Sequence, residues 1–574
     1  MRAMTPLLSA LFPVLLGAGC DLVITDAEHA ARLDADGDGH IAVEHGGDDC
    51  DDDDATIHPG ADEECDGVDN DCDDDIDEDV SVTVYDDADG DGYGDSSTEH
   101  LGCKGDPDVT IVDGDCDDEN EAVHPDATEV CGDGVDDDCS GDDSPCPPID
   151  LGEVRSGNGS APGDLYGFAL AGSGAALVVG APGWNGDRGA VSFHEDASTG
   201  SISLNSGDIV FRGTTDGDRV GTAVALVGNM LGTGQPTIAI GAPGSNGGSG
   251  AVYLLSPDHS GDVYPVQADA SVEPVLVDLS LGQAVSRVGD VTGDDADDMV
   301  VGAPAWSNST GAAVIVPGPI TGIIDPLTDN HYWTGESEAD DAGRSLAGAG
   351  DVDGDGVNDV LVGAWTAGGD LSGATYLLLG PITSSGTLAD ADAILRGNPA
   401  DISGLPLAGG GDVDGDGRAD FAIEAIGLDT DFGSVGTTFL FSGVDWTTGT
   451  LPSSIYDATA TITQGADGDT NAPDGLALRI RGDFNEDGRD DLIIGQPGHA
   501  SKRGSVSLFL SPLEGTLTIH DAYRHLQGVS GSDRTGTSAT TLTIDADGRD
   551  DIIVGAPGVD EDQGAIYVVT SSEW

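Results

Sequence analysis

Carboxylates at alternate positions around glycine are the strongest chemical signal in this chain. The stretch Asp351-Val-Asp353-Gly-Asp355-Gly-Val-Asn-Asp359 places four acids in one short turn, and the apolar run Val360-Leu-Val follows it. Several hard oxygen ligands in such a turn suit Ca2+, whereas an EF-hand loop is longer and continues as a helix. We therefore predict a calcium-binding hairpin loop between two strands.

Equivalent loops recur along the chain at nearly constant spacing. Asp290, Asp351 and Asp412 begin successive loops and are equally spaced in the sequence. In the last loop Thr543 replaces the first acid, so we expect weaker binding there. The second repeat has Asn229 at that position and no acid after it, and the first repeat lacks the loop. The candidate calcium ligands of these loops are Asp290, Asp294, Asp298, Asp351, Asp353, Asp355, Asp359, Asp412, Asp414, Asp416, Asp420, Asp483, Asn485, Asp487, Asp491, Asp545, Asp547 and Asp551.

Two series of glycines mark the same repeat. One glycine ends the strand after each loop, with Glu424 in its place in the fifth unit, and a second series runs upstream from Gly167 to Gly536. Seven units of short strands and turns predict an all-β, seven-bladed β-propeller over residues 149–574. The last unit lacks an outer strand, whose signature stands instead at Val154-Arg-Ser-Gly157, so we expect the N-terminal strand to complete the last blade. The strand-end glycines are Gly180, Gly241, Gly302, Gly363, Gly495 and Gly555.

Four of these glycines begin a Gly-Ala-Pro tripeptide, at residues 180–182, 241–243, 302–304 and 555–557. Together with the acidic loops upstream, the repeat resembles the FG-GAP repeats of integrin α-subunit propellers over residues 149–574. The FG half departs from that pattern, since Tyr166-Gly167 is its nearest match. The resemblance implies a calcium-binding propeller that acts as an adhesion or ligand-binding scaffold.

The segment before the propeller is duplicated and rich in Asp and Cys. Asp49-Cys50-Asp-Asp recurs further along the chain as Asp115-Cys116-Asp-Asp, and each copy follows an acidic run. The pattern resembles the Asp/Cys-rich metal-binding repeat of bacterial surface proteins and also thrombospondin-type calcium repeats. With so little apolar sequence, we expect the two repeats, residues 34–79 and 80–146, to depend on calcium and disulfides for their fold. The further candidate calcium ligands are Asp34, Asp36, Asp38, Asp87, Asp89 and Asp91.

The cysteines predict a disulfide framework. All nine precede residue 147, and eight remain when Cys20 is set aside: Cys50, Cys65, Cys72, Cys103, Cys116, Cys131, Cys139 and Cys146. The first copy holds three and the second holds five. If all pair within one molecule, at least one disulfide joins the copies, and Cys103 is a candidate because the first copy has no counterpart of it. The pairing stays open, as does a transition-metal site at the equivalent His58 and His124.

The N-terminal segment indicates export. Residues 1–19 combine Arg2, an apolar run and Gly17-Ala-Gly before Cys20, which is typical of a signal peptide. Cys20 resembles the acylated cysteine of bacterial lipoproteins, and residues 20–33 then form a linker. We expect a lipoprotein of the cell envelope, surface or outer membrane, attached to the membrane through lipid only. The alternative is a plain secretory signal and a secreted protein.

Charge and motif content restrict the function. The chain has 19 basic against 108 acidic residues, a formal net charge of -89, which repels nucleic acid. It contains no HExxH, GxSxG or GxxxxGK[ST] motif, so we expect no enzyme, although a composite hydrolase site across several blades stays open. A binding or adhesion scaffold is favoured, and a passive acidic, calcium-holding coat is the alternative.

Two tryptophans are candidates for ligand binding. Trp184 and Trp306 each follow closely on a strand-end glycine, in loops that should lie on the face opposite the calcium loops. Exposed indoles there would suit a surface glycan or a partner protein of the envelope. The alternative for these rings is packing between neighbouring blades.

Overall fold

The protein, described as a computed structural model, divides into two compact units, Met1–Ser144 and Pro145–Trp574. The structure describes residues 33–127, 135–139 and 148–573, apart from gaps at 277, 329–330, 428, 431–432, 435, 444–450, 465–476 and 546. The predicted signal peptide and the cysteines Cys20, Cys131 and Cys146 lie outside the described residues. Among the helices of the described residues, none combines the length and apolar character needed to cross a bilayer.

The second unit is built from sheets of four or five strands, seven of them within the described residues. Each sheet begins with an inner strand, and its second strand is a short apolar run bounded by turns, buried along most or all of its length. From the inside outwards, the first sheet consists of Ala169–Ser173, Ala176–Ala181, Ala190–His194, Ile209–Arg212 and Gly261–Val263. The second consists of Ala223–Val227, Thr237–Ala242, Ala251–Leu255, Ala270–Val272 and Gly322–Ile324.

The same order continues through the rest of the unit. The third sheet consists of Val285–Gly289, Asp298–Gly302, Ala312–Val316, His331–Thr334 and Gly386–Thr387, and the fourth of Ser345–Gly350, Asp359–Ala364, Ala374–Leu378 and Ala393–Arg396. The fifth consists of Ser403–Gly411, Asp420–Ala425, Thr437–Phe441, Ala460–Thr463 and Gly515–Thr518, with a small hairpin of Asp429–Thr430 and Gly433–Ser434 inserted. The sixth consists of Leu478–Ile480, Leu492–Gln496, Ser505–Phe509, Arg524–Gln527 and Ile149–Asp150, and the seventh of Ser538–Leu542, Asp551–Ala556, Ala565–Val569 and Arg155–Asn158.

The last sheet is completed by the strand that begins the unit. Arg155–Asn158 pairs antiparallel with Ala565–Val569, with Gly157 opposite Ile566. The prediction that the N-terminal strand completes the last blade is therefore confirmed. This pairing covers the outer edge of the last sheet with chain from the other end of the unit and so joins the repeat into a ring.

The two glycine series meet at the contacts between neighbouring blades. A Cβ added to Gly241 would lie 2.1 Å from the carbonyl oxygen of Gly282 in the next repeat, so a side chain is excluded there. In the same place, the N–H of Gly282 donates to the carbonyl of Gly302 at 3.0 Å. The contact also closes the ring, because a Cβ on Gly555 would lie 2.1 Å from the oxygen of Gly167. The repeated glycines thus let the backbones of adjacent blades touch.

The hydrophobic core lies between the blades. Buried apolar residues of the described propeller form seven clusters, and each joins side chains of two neighbouring sheets. For example, Met299 and Val314 of the third sheet pack with Val252 and Leu254 of the second. Because every blade depends on both neighbours for its core, the all-β propeller fold predicted from the repeat is cooperative around the ring.

The helices are short and lie in connections. Four-residue turns follow most second strands, at Trp184–Asp187, Ser245–Gly248, Trp306–Ser309, His499–Lys502 and Val559–Asp562, and a π-turn lies at Ala367–Leu371. The 3-10 turns are Val43–His45, Ser96–Thr98, Leu151–Glu153, Leu204–Ser206, Pro265–Gln267, Leu388–Asp390, Ile455–Asp457, Ile519–Asp521 and Ser571–Glu573.

The first unit has little apolar core and is held by disulfides. Its strands are short, Val82–Asp86, Gly94–Asp95, His100–Gly102, Val109–Thr110 and Asp113–Asp115. Within the described residues its buried apolar side chains are Ala42, Ile57, Val84 and Val123. Disulfides join Cys50 to Cys72 and Cys116 to Cys139, the same pairing in each copy, and Cys65 to Cys103. The last one links the first copy to the second, which confirms the predicted bridge between copies.

Candidate metal centres and ligand face

In the first repeat, the acidic run is closed by its own first carboxylate. Asp34 accepts the N–H of Gly37 at 2.7 Å through one oxygen and the N–H of Gly39 at 3.2 Å through the other. Asp36 and Asp38 each use only Oδ1 in this way, accepting the N–H two positions later. The turn therefore aligns three carboxylates and leaves Oδ2 of two of them available.

Asp49 completes this cluster from a different part of the chain. It precedes Cys50, whose disulfide to Cys72 anchors the segment, and its side chain is only 1% exposed. Oδ2 of Asp36, of Asp38 and of Asp49 is buried and, in the part of the chain that is described, has no hydrogen-bond partner. Ligand oxygens of the three acids lie within 4.8 Å of one another. Buried carboxylate oxygens are otherwise hydrogen-bonded, so this arrangement calls for a cation.

The second repeat builds the same cluster from equivalent residues. Asp87 accepts the N–H of Gly90 at 2.8 Å and the N–H of Gly92 at 3.2 Å. Oδ2 of Asp89, Asp91 and Asp115 is again buried without a hydrogen-bond partner among the described residues. The two copies differ in length between these segments, yet they converge on one geometry, which indicates a shared ligand.

The donor set fits calcium. Two oxygens that bind one Ca2+ at about 2.4 Å lie at most about 4.8 Å apart, and the ligand oxygens of Asp36, Asp38 and Asp49 lie within that limit. Desolvation raises the pKa of Asp36, and the charges of Asp38, Asp49 and Asp34 raise it further. Desolvation likewise raises the pKa of Asp115. A bound cation would relieve this repulsion, because it favours the ionised carboxylates.

Several residues of these clusters were absent from the sequence-based set. Asp49 and Asp115 are the clearest, and Asp52 and Asp118 join them by accepting the N–H of Ala35 and of Ala88, each at 3.1 Å. The signal that could have found them is the duplicated Asp-Cys-Asp-Asp sequence. Its acids recur at the same distance from a cysteine that the fold fixes in place.

A further acidic cluster lies in the acidic turn of the first copy, residues 63–78, which begins inside the loop closed by the Cys50–Cys72 disulfide and extends beyond it. Glu63, Asp69 and Asp71 bring ligand oxygens within 4.8 Å of one another, and so do Asp71, Asp73 and Glu78. Oδ1 of Asp71 and Oε2 of Glu78 are buried without a hydrogen-bond partner among the described residues. None of these residues is among the metal ligands predicted from the sequence.

The histidines take part in ring stacking. His58 lies flat against His40 with centroids 4.9 Å apart, and His124 lies against Tyr93 at the same separation. The partner is an imidazole in one copy and a phenol in the other. A flat ring for packing is therefore the property that the two copies share. This favours a stacking role for His58 and His124 over transition-metal ligation.

In the propeller, the first acid of each complete loop closes its turn. Asp351 accepts the N–H of Gly354 at 2.7 Å and the N–H of Gly356 at 2.9 Å. Asp290 and Asp412 bind their loops in the same way. The sequence-predicted acids of one loop are thus brought together around one turn, as calcium ligation requires.

The ninth-position acid is fully buried and joins the loop to a neighbouring connection. Asp359 accepts the N–H of Val352 at 2.9 Å and that of Gly380 at 2.8 Å. Burial raises the pKa of Asp359 to about 7, and the charges of Asp353 and Asp351 add to the effect. Asp359 therefore faces the other acids and has a structural role as well. The same pair of bonds is made by Asp298, Asp420, Asp491 and Asp551.

The last loop differs from the complete ones. The hydroxyl of Ser571 donates to Asp547 and lies 3.4 Å from Asp545, and the hydroxyl of Thr543 donates to Asp550 at 3.1 Å. In the sixth loop the amide of Asn485 donates to Asp487 at 3.2 Å. Internal hydroxyl donors compete with a cation for these oxygens, in keeping with the expectation that the last loop binds weakly.

Trp184 and Trp306 are half-buried. Trp184 packs against the cluster between the last and first blades, and the guanidinium of Arg212 lies 4.8 Å from its ring centre. Trp306 packs against the cluster between the second and third blades and lies 5.3 Å from the ring of Tyr332. Each indole thus takes part in packing and also keeps an exposed part. Both lie at the opposite end of their sheets from the acidic loops, because consecutive strands are antiparallel.

Comparison with protein families gives two matches. The metal-binding motif of the Cu-binding MopE family matches residues 49–78 and 115–145, and the FG-GAP repeat matches residues 535–569. The first match contains Asp49 and Asp115 and the acidic turn of the first copy. The second covers the seventh sheet from its inner strand to Ala565–Val569.

Comparison with individual proteins points to integrin α subunits. The chain is 28% identical to integrin alpha-5 of Xenopus laevis over 38% of its length and 20% of that protein. It is 25% identical to integrin alpha-PS2 of Drosophila melanogaster over 50% of its length and 22% of that protein. The chain spans no more than about a fifth of the length of these curated relatives.

One further relative and one solved structure also match the chain. The chain is 35% identical to human phosphatidylinositol-glycan-specific phospholipase D over 16% of its length and 12% of that protein. The WD40 domain of Toxoplasma gondii coronin aligns with a TM-score of 0.41 and 9% identity, over 74% of this chain and 88% of that one.

Fold and matches together define the class of protein. The second unit is an all-β propeller with FG-GAP homology, similar in sequence to integrin α subunits. The first unit carries MopE-like metal-binding motifs.

Proposed function

We propose that this chain is an exported, calcium-binding surface protein whose propeller is a scaffold for binding an extracellular ligand. Its metal-binding repeats comprise residues 34–79 and 80–146, and its propeller comprises residues 149–574. The observation that carries the calcium assignment is the matched set of buried, unpartnered carboxylate oxygens in the described parts of the two repeats. The FG-GAP homology supports the scaffold.

Calcium binds at two kinds of site in this proposal. In the repeats, the acidic run and the Asp-Cys-Asp-Asp segment hold one ion between them, so the ion joins two stretches of a unit with little apolar core. In the propeller, calcium stabilises hairpin loops of the third to sixth blades and has no catalytic role. Oxygen-only donor sets favour Ca2+ over softer metals at both.

Calcium titration of the full chain, stripped with EGTA, tests the repeat sites. We expect Asp49→Asn combined with Asp115→Asn to weaken two sites at least tenfold, because each change removes a buried ligand. Asp62→Asn is the matched control, since Asp62 is an exposed acid of the same repeat. Copper or zinc binding that exceeds calcium binding and is lost in His58→Ala would contradict the calcium assignment.

The ligand binds on the face that carries Trp184 and Trp306, and a surface glycan or an envelope protein fits that face best. The half-exposed indoles offer flat apolar surface beside hydrogen-bonding loops, which is how proteins commonly hold sugars and peptides. Screening the full chain on arrays of glycans and envelope components tests this. Binding should fall at least tenfold in Trp184→Ala or Trp306→Ala and persist in Glu486→Gln, an exposed residue of the acidic loop at the other end of the sixth sheet.

The calcium dependence of ligand binding distinguishes a ligand-binding scaffold from the alternative, a passive acidic coat. If the ligand contacts only the tryptophan face, a chelator reduces binding through loss of fold, in parallel with the melting temperature. Intact calcium binding without a retained ligand on any array would favour the passive acidic coat.

Attachment to the membrane runs through Cys20 in this proposal. Acylation of its thiol after signal cleavage would tether an otherwise hydrophilic chain to the envelope. We expect Cys20→Ser to move the protein from the membrane fraction to the soluble fraction. Full retention of the variant in the membrane would show that the anchor lies elsewhere, and a soluble wild-type protein would favour secretion.

A further inference from the structure

An axial channel runs through the middle of the propeller. It is lined by residues of the inner strand of all seven sheets and encloses about 190 Å³. Small inner-strand residues such as Gly172, Gly348 and Gly409 keep it open. A second cavity of about 330 Å³ shares Arg287 and Arg481 with the channel and reaches the acidic loops. The channel therefore opens towards the face that carries those loops.

The channel is basic in a protein that is otherwise strongly acidic. Three of the chain's 19 basic residues line it, Arg287, Arg479 and Arg481, whereas none of its 108 acidic residues is among the described lining. If charged residues were distributed at random, acids would line the channel far more often than bases, because the chain has many more of them. A confined space lined by one sign of charge concentrates counter-ions of the other sign.

Arg479 and Arg481 are held in place by the surrounding backbone. Nε of Arg479 donates to the carbonyl of Ala539 in the next blade at 2.9 Å. The guanidinium of Arg481 lies over Gly410, where an added Cβ would be 2.9 Å from Nη2 and where the positive φ of 86° also favours glycine. A residue without a side chain thus makes room for the charge.

Arg287 and Arg481 have no anionic partner within the described residues. Neither side chain forms a hydrogen bond or an ion pair there. Asp490 is the acid whose charge reaches Arg481. Its carboxylate already accepts the N–H of Gly482 at 2.9 Å and the N–H of Asp412 at 3.0 Å. The guanidinium groups of Arg287 and Arg481 therefore face the channel with N–H donors that no acceptor among the described residues uses.

The like charges also act on one another. Burial within the ring lowers the pKa of Arg479, and the charge of Arg481 lowers it further. All three side chains nevertheless remain accessible to water in the channel. Guanidinium groups stay charged at any physiological pH, so a bound anion would reduce the repulsion between them.

We propose that the axial channel binds an oxyanion, a carboxylate or sulfate group, through Arg287 and Arg481 with Arg479 behind them. Forked guanidinium donors match such groups in geometry as well as in charge. The anion is either a free ion or the acidic group of a larger ligand that enters from the face with the acidic loops. This site is separate from the tryptophan face and does not depend on the proposed function.

Binding of sulfate to the calcium-loaded full chain tests the proposal. Calorimetric titration with sodium sulfate, at constant ionic strength against sodium chloride, should give one site in the wild type. Arg287→Gln and Arg481→Gln should each weaken it at least tenfold. Arg188→Gln is the matched control, because Arg188 pairs with Asp216 in an outer loop, and it should bind as the wild type does.

Melting without sulfate distinguishes a binding role from a structural one. Removing one of several repelling charges should leave the melting temperature of Arg481→Gln unchanged or raise it. Unchanged sulfate affinity in both channel variants would overturn the proposal, and so would a much lower melting temperature of both variants in sulfate-free buffer. The latter would show that the arginines serve to hold the blades together.

Acetate, glucuronate and glucose distinguish the source of the anion. Glucuronate binding more tightly than acetate assigns the channel to an acidic group carried on a sugar. Equal affinity for both, or binding of sulfate alone, assigns it to a free anion, and glucose should not bind in either case. Failure of sulfate, acetate and glucuronate to bind would overturn the proposal, whatever the arrays show for the tryptophan face.

Discussion

Glu424 shows how one departure from the repeat is accommodated at the level of a single residue. It occupies the position of a strand-end glycine and is 2% exposed. Its carboxyl group accepts from the hydroxyl of Thr438 and from the amide of Gln464, the latter at 2.6 Å. Gln464 in turn accepts from Gln496 of the sixth sheet at 3.3 Å. A polar network thus replaces the glycine contact at this blade junction.

The burial of Glu424 predicts a pH dependence of stability. Desolvation raises the pKa of Glu424 from 4.5 to about 8, so the folded state keeps a proton that the unfolded state releases. The free energy of unfolding therefore decreases as pH rises from about 5 to 8, by up to about 1.4 kcal/mol per pH unit. Glu424→Gln keeps the shape and should abolish this slope. Chemical denaturation in saturating calcium measures it.

Because the wild type and Glu424→Gln share all other titrating groups, the contributions of those groups to the pH dependence of unfolding cancel when the two proteins are compared. Saturating calcium keeps the loop carboxylates ionised in both proteins, so the difference between the two curves reports residue 424. Parallel curves from pH 5 to 8 would mean that Glu424 is ionised in the folded state.

At the level of elements, the repeat is stabilised by backbone contact between blades. Gly241 and Gly282 approach so closely that a methyl group cannot fit, because a Cβ on Gly241 would lie 2.1 Å from the carbonyl oxygen of Gly282. Each second strand therefore sits directly against the turn of the following repeat. This contact explains why the two glycine series share one period.

Gly241→Ala should destabilise the propeller. The added Cβ would meet a backbone oxygen that cannot move without displacing the neighbouring blade, and such overpacking costs about 1–3 kcal/mol. Gly531→Ala is the matched control, since its Cβ would lie 3.7 Å from the nearest atom. Thermal melts in excess calcium measure both. Equal melting temperatures would show that the blades can separate slightly without penalty.

Disulfides and candidate ion sites combine at the level of elements in the first unit. The Cys50–Cys72 bond fixes the segment that supplies Asp49, and the Cys116–Cys139 bond does the same for Asp115. A covalent link thus positions a buried ligand on one side of each cluster, and the acidic run supplies the other side. This division suits a unit that buries few apolar side chains.

At the level of the whole molecule, a net charge of -89 opposes compaction. Much of this charge lies in loops and repeats where carboxylates already face one another, as around Asp359 and Asp36. Divalent cations bound at these places reduce the repulsion where it is largest. Stability of the whole chain should therefore depend on calcium far more than on monovalent salt.

Calcium removal should lower the melting temperature of the full chain by roughly 10 °C or more. Each site that binds only the folded state contributes about 2.7 kcal/mol when free calcium is a hundred times its Kd. Asp355→Ala should lose more of this calcium-dependent stability than Asp547→Ala, because the last loop is incomplete. Melts with and without EGTA give the difference for each variant. A wild-type melt that EGTA does not change would contradict calcium binding by the fold.

Much of this molecule was already determined by its repeat. A nearly constant period, short apolar runs and glycines at fixed positions predict a ring of similar sheets, because every repeat meets the same neighbours. The acidic loops are also local, since all the acids of one turn lie close together in the sequence. The odd number of cysteines in each copy predicted a bridge between the copies, and that inference needs only the cysteine count of each copy.

Tertiary structure decided what depends on residues far apart in sequence. The pairing of Cys65 with Cys103 was only one of many possibilities. Asp49 joins the acidic run because the fold brings the two segments together. Arg287 and Arg481 belong to different blades, and only closure of the ring places them in one channel. Local patterns specify turns and strands, whereas the cost of burying a charge without a partner is set by the neighbours that the complete fold supplies.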